Sequence, residues 1–403
     1  MSGKLISSFV KPMRIFLLTV LFFGATPGVF ATDVYCPGSR PPDSFPNAYT
    51  SVSAAMSSGD SVYNIWGNCT ESINVSISPV RFVGHDGAQI ISPPGQYAFY
   101  FGQNSQVSDL TIVAGGSTGN GLILLGAGWL GMDNTTISGP PSGAAGIGIQ
   151  IGGGGVFWLA STSTVQNFET GLFLRDSSTA MMGTGTDRVV FSHNRTAILA
   201  TGGSSVTVQA NTVIQDSDLY GINIENSHLS MGPDGSAQML RNNIGIRLLD
   251  STANVNNLLL EGNRRMAIYQ SGGQATYRNI RVTGSGSSDP TSFAIHVQLG
   301  SHLDLLDSSV TGNSGGGVLT AGASASKIVN TTIAGNAGAG VDVRNLSFVG
   351  LSLSTITGNG GNDVVCLPIS EIEAPSAGSN HIGKVALTCA LAYRPGSKIR
   401  YAD

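Results

Sequence analysis

Charge is the first thing this sequence is short of. Only 11% of its 403 residues are Asp, Glu, Lys or Arg, against about 25% in ordinary soluble domains. Coiled coils and charge-laced helical bundles need dense Glu and Lys, and are excluded. Low hydrophobicity is absent too, with 41% apolar residues, so intrinsic disorder is excluded. No surplus of positive charge exists: the formal net charge is −4, and no nucleic-acid partner is expected. Aromatic residues are sparse at 7%, and cysteines number four. A membrane-spanning helix needs about 20 apolar residues, and the apolar stretch Ile15 to Phe23 covers nine. What the chain has in plenty is Gly, 55 residues without a Gly-X-Y period, so collagen is excluded as well.

Residues 1–31 read as a secretory signal peptide. Lys4, Lys11 and Arg14 form a basic start, Ile15 to Phe23 an apolar centre, and Val29-Phe30-Ala31 a cleavage site. Met13 serves equally well as the starting residue, because a complete signal follows it. The expectation is an exported protein, periplasmic or extracellular, with no transmembrane anchor in the mature chain. Four cysteines suit that setting and allow three connectivities. Cys36 and Cys69 lie near one end, Cys366 and Cys389 near the other. The expected pairs are Cys36–Cys69 and Cys366–Cys389, each closing a terminal segment.

Most of the chain repeats itself. Residues 302–324 read HLDLLDSSVTGNSGGGVLTAGAS, residues 325–347 ASKIVNTTIAGNAGAGVDVRNLS, and residues 348–366 FVGLSLSTITGNGGNDVVC. Working back to residue 107 gives about 11 units, mostly 22–24 residues long. A fixed period of this length marks a solenoid. Each unit holds three short pieces of alternating apolar residues, rich in Val, Ile, Thr and Ala, separated by Gly, Asn or Ser. That alternation is the period of a strand, and no piece is long enough for a helix. The leucine-rich-repeat frame is missing. The pattern resembles the right-handed parallel β-helix of the pectin-lyase-like superfamily, over residues 73–366.

The resemblance implies an all-β fold, a single β-helix with capped ends. Residues 32–72 are expected to form an N-terminal cap and 367–403 a C-terminal cap. Ala48, Val52, Ala55 and Met56 fall on one helical face, which predicts a capping helix over 46–58. Asn167, Asn194, Asn242, Asn263, Asn313, Asn336 and Asn359 recur just before the last strand of a unit. Stacked coils would place them in a ladder at the strand spacing of about 4.8 Å. Their role is structural.

Enzymes of this fold carry short motifs, and the chain lacks most of them. Polygalacturonase-like D-D and R-I-K are absent; Gly84-His85-Asp86-Gly87 comes near G-H-G but reads as a turn. Asp289-Pro290-Thr291-Ser292 departs from the D-P-H-D of alginate epimerases after two residues. Calcium is unsupported by any motif; Asp216, Asp218 and Glu225 are the one conceivable hard-cation set. No metal or cofactor is expected.

The third strand of each unit offers an outward ridge. Its first outward row is expected to run Ile123, Gly148, Phe173, Leu199, Asn223, Arg247, Tyr269, His296, Leu319, Asp342. Its second runs Leu125, Gln150, Arg175, Thr201, Glu225, Leu249, Ser271, Gln298, Ala321, Arg344. The ends are mostly apolar or small; the middle is not. Arg247, Tyr269 and His296 are the catalytic candidates: a charge neutraliser and two proton carriers. Asn223, Glu225, Gln298, Arg175 and Arg344 are the substrate-binding candidates. The longest insertion, residues 284–293, leads directly into this patch. These features point to a monomer that interacts with a polysaccharide or cell-surface glycan. A polysaccharide lyase acting on an acidic glycan is the enzymatic alternative, and an adhesion scaffold the non-carbohydrate one.

Overall fold

The computed structural model describes residues 31–37, 49–116, 118–140, 145–184, 188–209, 211–232, 237–287, 289, 292–373, 380–388, 390–392 and 399–401. Two sheets wrap around one core. One contains 14 strands, from Ile73–Val75 to Val385–Leu387, one per coil. The other contains 29 strands and supplies the remaining sides. Every coil pairs in parallel with the coil before and after it, for example Ile222 with Ile198 and Ile246.

The alternation in the sequence explains the core. Leu172, Ile198, Ile222, Ile246, Ile268, Ile295, Val318 and Val341 are successive Cα partners, and all are fully buried. β-Branched side chains suit such a file, since stiff side chains stack on a pleated surface with little entropy to lose. Each buried side chain contributes roughly 1.5–3 kcal/mol.

The expected count of about 11 coils is too low. Coils built on Ile73–Val75 and Tyr97–Phe101 precede the recognisable repeats. Beyond Cys366, strands Glu371–Glu373, Asn380–Ile382 and Val385–Leu387 stack on the preceding coils in the same parallel register. The period fades in the sequence there, but backbone pairing carries on without it. Among the described residues no helix is long and apolar enough to cross a membrane.

The N-terminal helix is shorter than expected. It spans Val52–Ala55 and passes into a 3-10 turn at Met56–Ser58. Ser51 caps it, and Glu71 accepts hydrogen bonds from the backbone of Val52 (2.7 Å) and Ser53 (2.9 Å). Val52 and Ala55 are fully buried and Met56 packs against the core; Ala48 lies outside the described residues. Cys36 and Cys69 form the expected disulfide, across 33 residues. Cys366 is buried and disulfide-bonded; Cys389 lies outside the described residues, as does the expected signal segment up to residue 30.

The corners are polar and buried. Asn242 Nδ2 donates to Asn263 Oδ1 (3.3 Å), Asn313 to Asn336 (2.7 Å), and Asn336 to Asn359 (2.8 Å). Where Asn is missing, Ser285 bridges the gap between Asn263 and Asn313. Asn167 does not join the ladder. Its backbone is left-handed (φ 65°), a turn conformation that Asn tolerates. Two further ladders escaped the sequence reading: Ser301, Ser324, Ser347 and Ser370 at one corner, and Ser308, Thr331, Ser354 and Asn380 at another. Serine is so common here that its recurrence hides among other serines.

Asn336→Ala should lower the free energy of unfolding by about 2–4 kcal/mol. It removes the acceptor of the Asn313 backbone N–H and side-chain amide and the donor to the Val310 carbonyl, all inside the core, each orphaned group costing about 1–3 kcal/mol. Urea unfolding measures this, with the exposed Thr332→Ala as a control expected to stay within about 0.5 kcal/mol.

Candidate functional site: the outward ridge

The 14-stranded sheet sets the register of the ridge. Asn223, Arg247, Tyr269 and His296 are consecutive Cα partners on strands Tyr220–Glu225, Ile244–Leu249, Met266–Ser271 and Phe293–Gln298. Glu225, Leu249, Ser271 and Gln298 form the row beside them. The inward neighbours Ile222, Ile224, Ile295 and Val297 are fully buried, which fixes which side chains face out.

One stretch of the expected rows is out of phase. Gln150 stands opposite Ile123 and Phe173, and Gly152 opposite Leu125. Gln150 therefore belongs to the first row, and Gly148 to neither. The strand Ala145–Gly152 alternates Ile147, Ile149 and Ile151 regularly, which fixes the outward side; the slip is of two residues, and with Gly148 and Gly152 flanking Gln150 nothing in the outward residues marks the row. Ile123, Leu125, Phe173 and Leu199 do not form a fully exposed apolar band; each is half-buried. Leu319 and Asp342, further along the row, are buried.

The middle of the ridge resolves into two groups. In the first, Arg247 Nη1 donates to Asn223 Oδ1 (3.1 Å) and Glu225 Oε1 (2.8 Å), and Asn223 Nδ2 donates to Glu225 Oε1 (3.0 Å). The Arg247 guanidinium also lies 5.0 Å from the centre of the Tyr220 ring, a cation–π contact. Its charge is thus already met by a carboxylate and an aromatic face. This group positions its neighbours more readily than it clamps a second anion.

In the second group the Tyr269 and His296 rings meet edge to face, with centroids 5.6 Å apart. Gln298 Nε2 donates to the Tyr269 hydroxyl oxygen at 2.5 Å, leaving the phenolic proton for another acceptor. Burial pushes the His296 pKa below its ordinary value, and the positive charges of Arg344 and Arg265 push it further down. At neutral pH His296 is an uncharged imidazole, a competent proton acceptor.

Arg344 is held by both carboxylate oxygens of the buried Asp342, one of them at 2.8 Å from Nε. Arg175 stands apart, 3.5 Å from Asp176. Arg265 and Tyr220 were missed in the sequence. Arg265 lies in the turn before the Tyr269 strand, and only the fold brings its charge towards His296.

The three acids weighed as a cation site do not converge. Asp216 binds Arg241 through two bonds of 2.8 Å, Asp218 pairs with Arg264 (3.4 Å) and Glu225 with Arg247 (2.8 Å). Among the described residues the one compact set of potential ligands is Cys36, Cys69 and Glu71, and its sulfurs form the disulfide. Gly84-His85-Asp86-Gly87 lies inside the long strand Val80–Ile91. Asp86 and Gly87 are left-handed there, and His85 stacks on Trp66 at 4.4 Å.

Comparison with known proteins agrees with this architecture. The family model described as "Right handed beta helix region" matches residues 235–367. The chain is a right-handed parallel β-helix protein. No curated protein matches it. Among solved structures, a DFA-IIIase from Arthrobacter chlorophenolicus A6 is 11% identical, with 86% of this chain and 94% of that one covered and a TM-score of 0.42. The mannuronan C-5 epimerase AlgE4 A-module of Azotobacter vinelandii is 14% identical over 87% of this chain and 94% of that one, with a TM-score of 0.34. Pectate lyase Pel9A is 12% identical over 93% and 80%, at 0.27.

The His296 imidazole should titrate below about 6.5, the usual histidine value. In Arg344→Ala the midpoint should rise, because a positive charge is lost and Asp342 is left unpaired. Histidine-selective NMR across pH 4–8 reads both, and a wild-type midpoint at or above the usual value would contradict the geometry. The sign for stability follows: the His296 contribution is fully present above about 6.5 and is lost as pH falls through the lower folded value.

Proposed function

We propose that this is an exported, monomeric β-helix protein that binds polysaccharide along the outward ridge, with no metal or cofactor. The observation that carries the reading is the Tyr269–His296–Gln298 group on adjacent coils. It offers two aromatic edges, a phenolic proton, an imidazole and an amide, all pointing outward from a rigid sheet. A site on a rigid sheet holds its geometry without ordering cost on binding, and polar groups one strand apart can follow an extended chain of sugar hydroxyls. The Cys36–Cys69 bond supports export, since disulfides persist in oxidising compartments.

A second reading is favoured by the depressed pKa of His296. A neutral imidazole flanked by Arg265 and Arg344 suits a lyase acting on an acidic glycan. Arg265 would hold the uronate carboxylate, Arg344 being committed to Asp342; His296 would remove the proton beside it, and Tyr269 would return a proton to the departing glycosidic oxygen. In this reading Arg247 orients the ridge through Glu225 and Asn223.

The purified protein should bind at least one member of a panel of pectate, alginate, chondroitin and gellan, immobilised with and without Ca²⁺. Tyr269→Phe/His296→Ala should weaken that binding by about ten-fold, or ~1.4 kcal/mol. Unchanged binding in the double variant would remove the ridge from the account. Ultraviolet absorbance of unsaturated chain ends, lost in His296→Ala, would establish the lyase reading. Silence in both assays would favour an adhesion scaffold.

A further inference from the structure

A second recess lies on a different face of the solenoid. Strands His302–Leu306, Ala325–Val329, Phe348–Ser352 and Glu371–Glu373 belong to the 29-stranded sheet and stack in register. Between them opens a cavity of about 260 Å³, lined by His302, Lys327, Phe348, Gly350, Ser352 and Glu373 among others. Its volume suits a single small ring and excludes a polymer chain as the whole occupant.

Gly350 makes the recess. It stands in register between Lys327 and Glu373, where a side chain would otherwise fill the row. The fold does not require glycine there. Its φ is not left-handed, and an added Cβ would meet nothing closer than the Phe348 ring at 3.6 Å, an ordinary contact. Glycine inside a strand is unfavourable relative to alanine, because it loses more backbone freedom on folding. Packing leaves that cost unexplained; an open recess explains it.

The walls define the ligand. Phe348 supplies an apolar ring, half-exposed beside the notch. The Lys327 ammonium can donate to an oxygen, the Glu373 carboxylate can accept from a hydroxyl, and Ser352 can do both. The charges alternate along one row: Asp304, Lys327, then Glu373 beyond Gly350. Asp304 also lies 3.4 Å from His302, so the row carries groups of both signs and offers little to a free anion or a free cation. It suits a neutral molecule with one C–H face and a rim of hydroxyls.

We propose that this recess binds one neutral pyranose residue, its C–H face on Phe348 and its hydroxyls on Lys327 and Glu373. The site is separate from the ridge and does not depend on the reading given to the ridge.

The test is ligand-observed saturation-transfer NMR and calorimetry of the purified protein with methyl glucoside, galactoside and mannoside, with methyl glucuronide as the anionic counterpart. Wild-type protein should bind at least one neutral glycoside in the millimolar range (~ −4 kcal/mol), and more tightly than the glucuronide. Gly350→Leu fills the notch from a position with room for a side chain. It should keep the wild-type melting temperature and weaken binding by about ten-fold or more. Phe348→Leu should weaken it as well, whereas Tyr269→Phe/His296→Ala should leave it unchanged. The proposal is overturned if no neutral glycoside binds, if Gly350→Leu binds like wild type, or if the glucuronide binds more tightly. Loss of polysaccharide binding in the ridge variant, with glycoside binding intact, keeps the two sites distinct.

Discussion

Everything in this protein depends on the backbone of one coil pairing with the backbone of the next. A parallel sheet has no short hairpins, so each coil must travel a full circuit before it can bond its neighbour. That circuit is closed only if every corner turns at the same place in every coil. Buried corners carry backbone polar groups that need partners. The Asn, Ser and Thr ladders provide them, each side chain accepting from the N–H of the coil before it. Registration of the corners then registers the strands, and registration of the strands stacks the core.

The same constraint makes the surface. With no sequence offset between coils, outward residues form straight rows, and chemistry on one coil faces chemistry on the next. Arg247 reaches Asn223 and Glu225 because they lie one coil below. Tyr269 meets His296 for the same reason. A β-helix is thus a display surface on which side chains remote in sequence are always neighbours. Its rigidity is also why an isolated deviation stands out. Gly350 occupies a position the packing would allow any small residue to fill.

Much of the architecture was legible because its signals are redundant. The repeat recurs in many copies, and inward alternation, β-branched residues and corner Asn all agree. Errors fell where redundancy was lost. In the strand Ala145–Gly152 the alternating Ile residues fix the outward side, but its outward residues are mostly Gly and do not mark the row, so Gln150 falls one row away from its expected place. Coils before residue 107 and after Cys366 diverge from the repeat, yet the backbone pairing continues. Asn167 matches the corner spacing but takes a left-handed turn, a choice made by local backbone geometry.

At the candidate site the sequence alone located the row and its members, because inward and outward residues alternate strictly on a strand buried on one face. It could not say how those members divide. Arg247 looked like a free cation in sequence; in the fold it is committed to Glu225 and Tyr220, and the charges acting on His296 come from Arg265 and Arg344. Periodicity depends on local alternation, which any reader of the chain can follow. Pairing, burial and pKa depend on distances across coils some 22–29 residues apart in the chain. Only the stacked structure decides those, since it alone says how far each side chain leans towards the next coil.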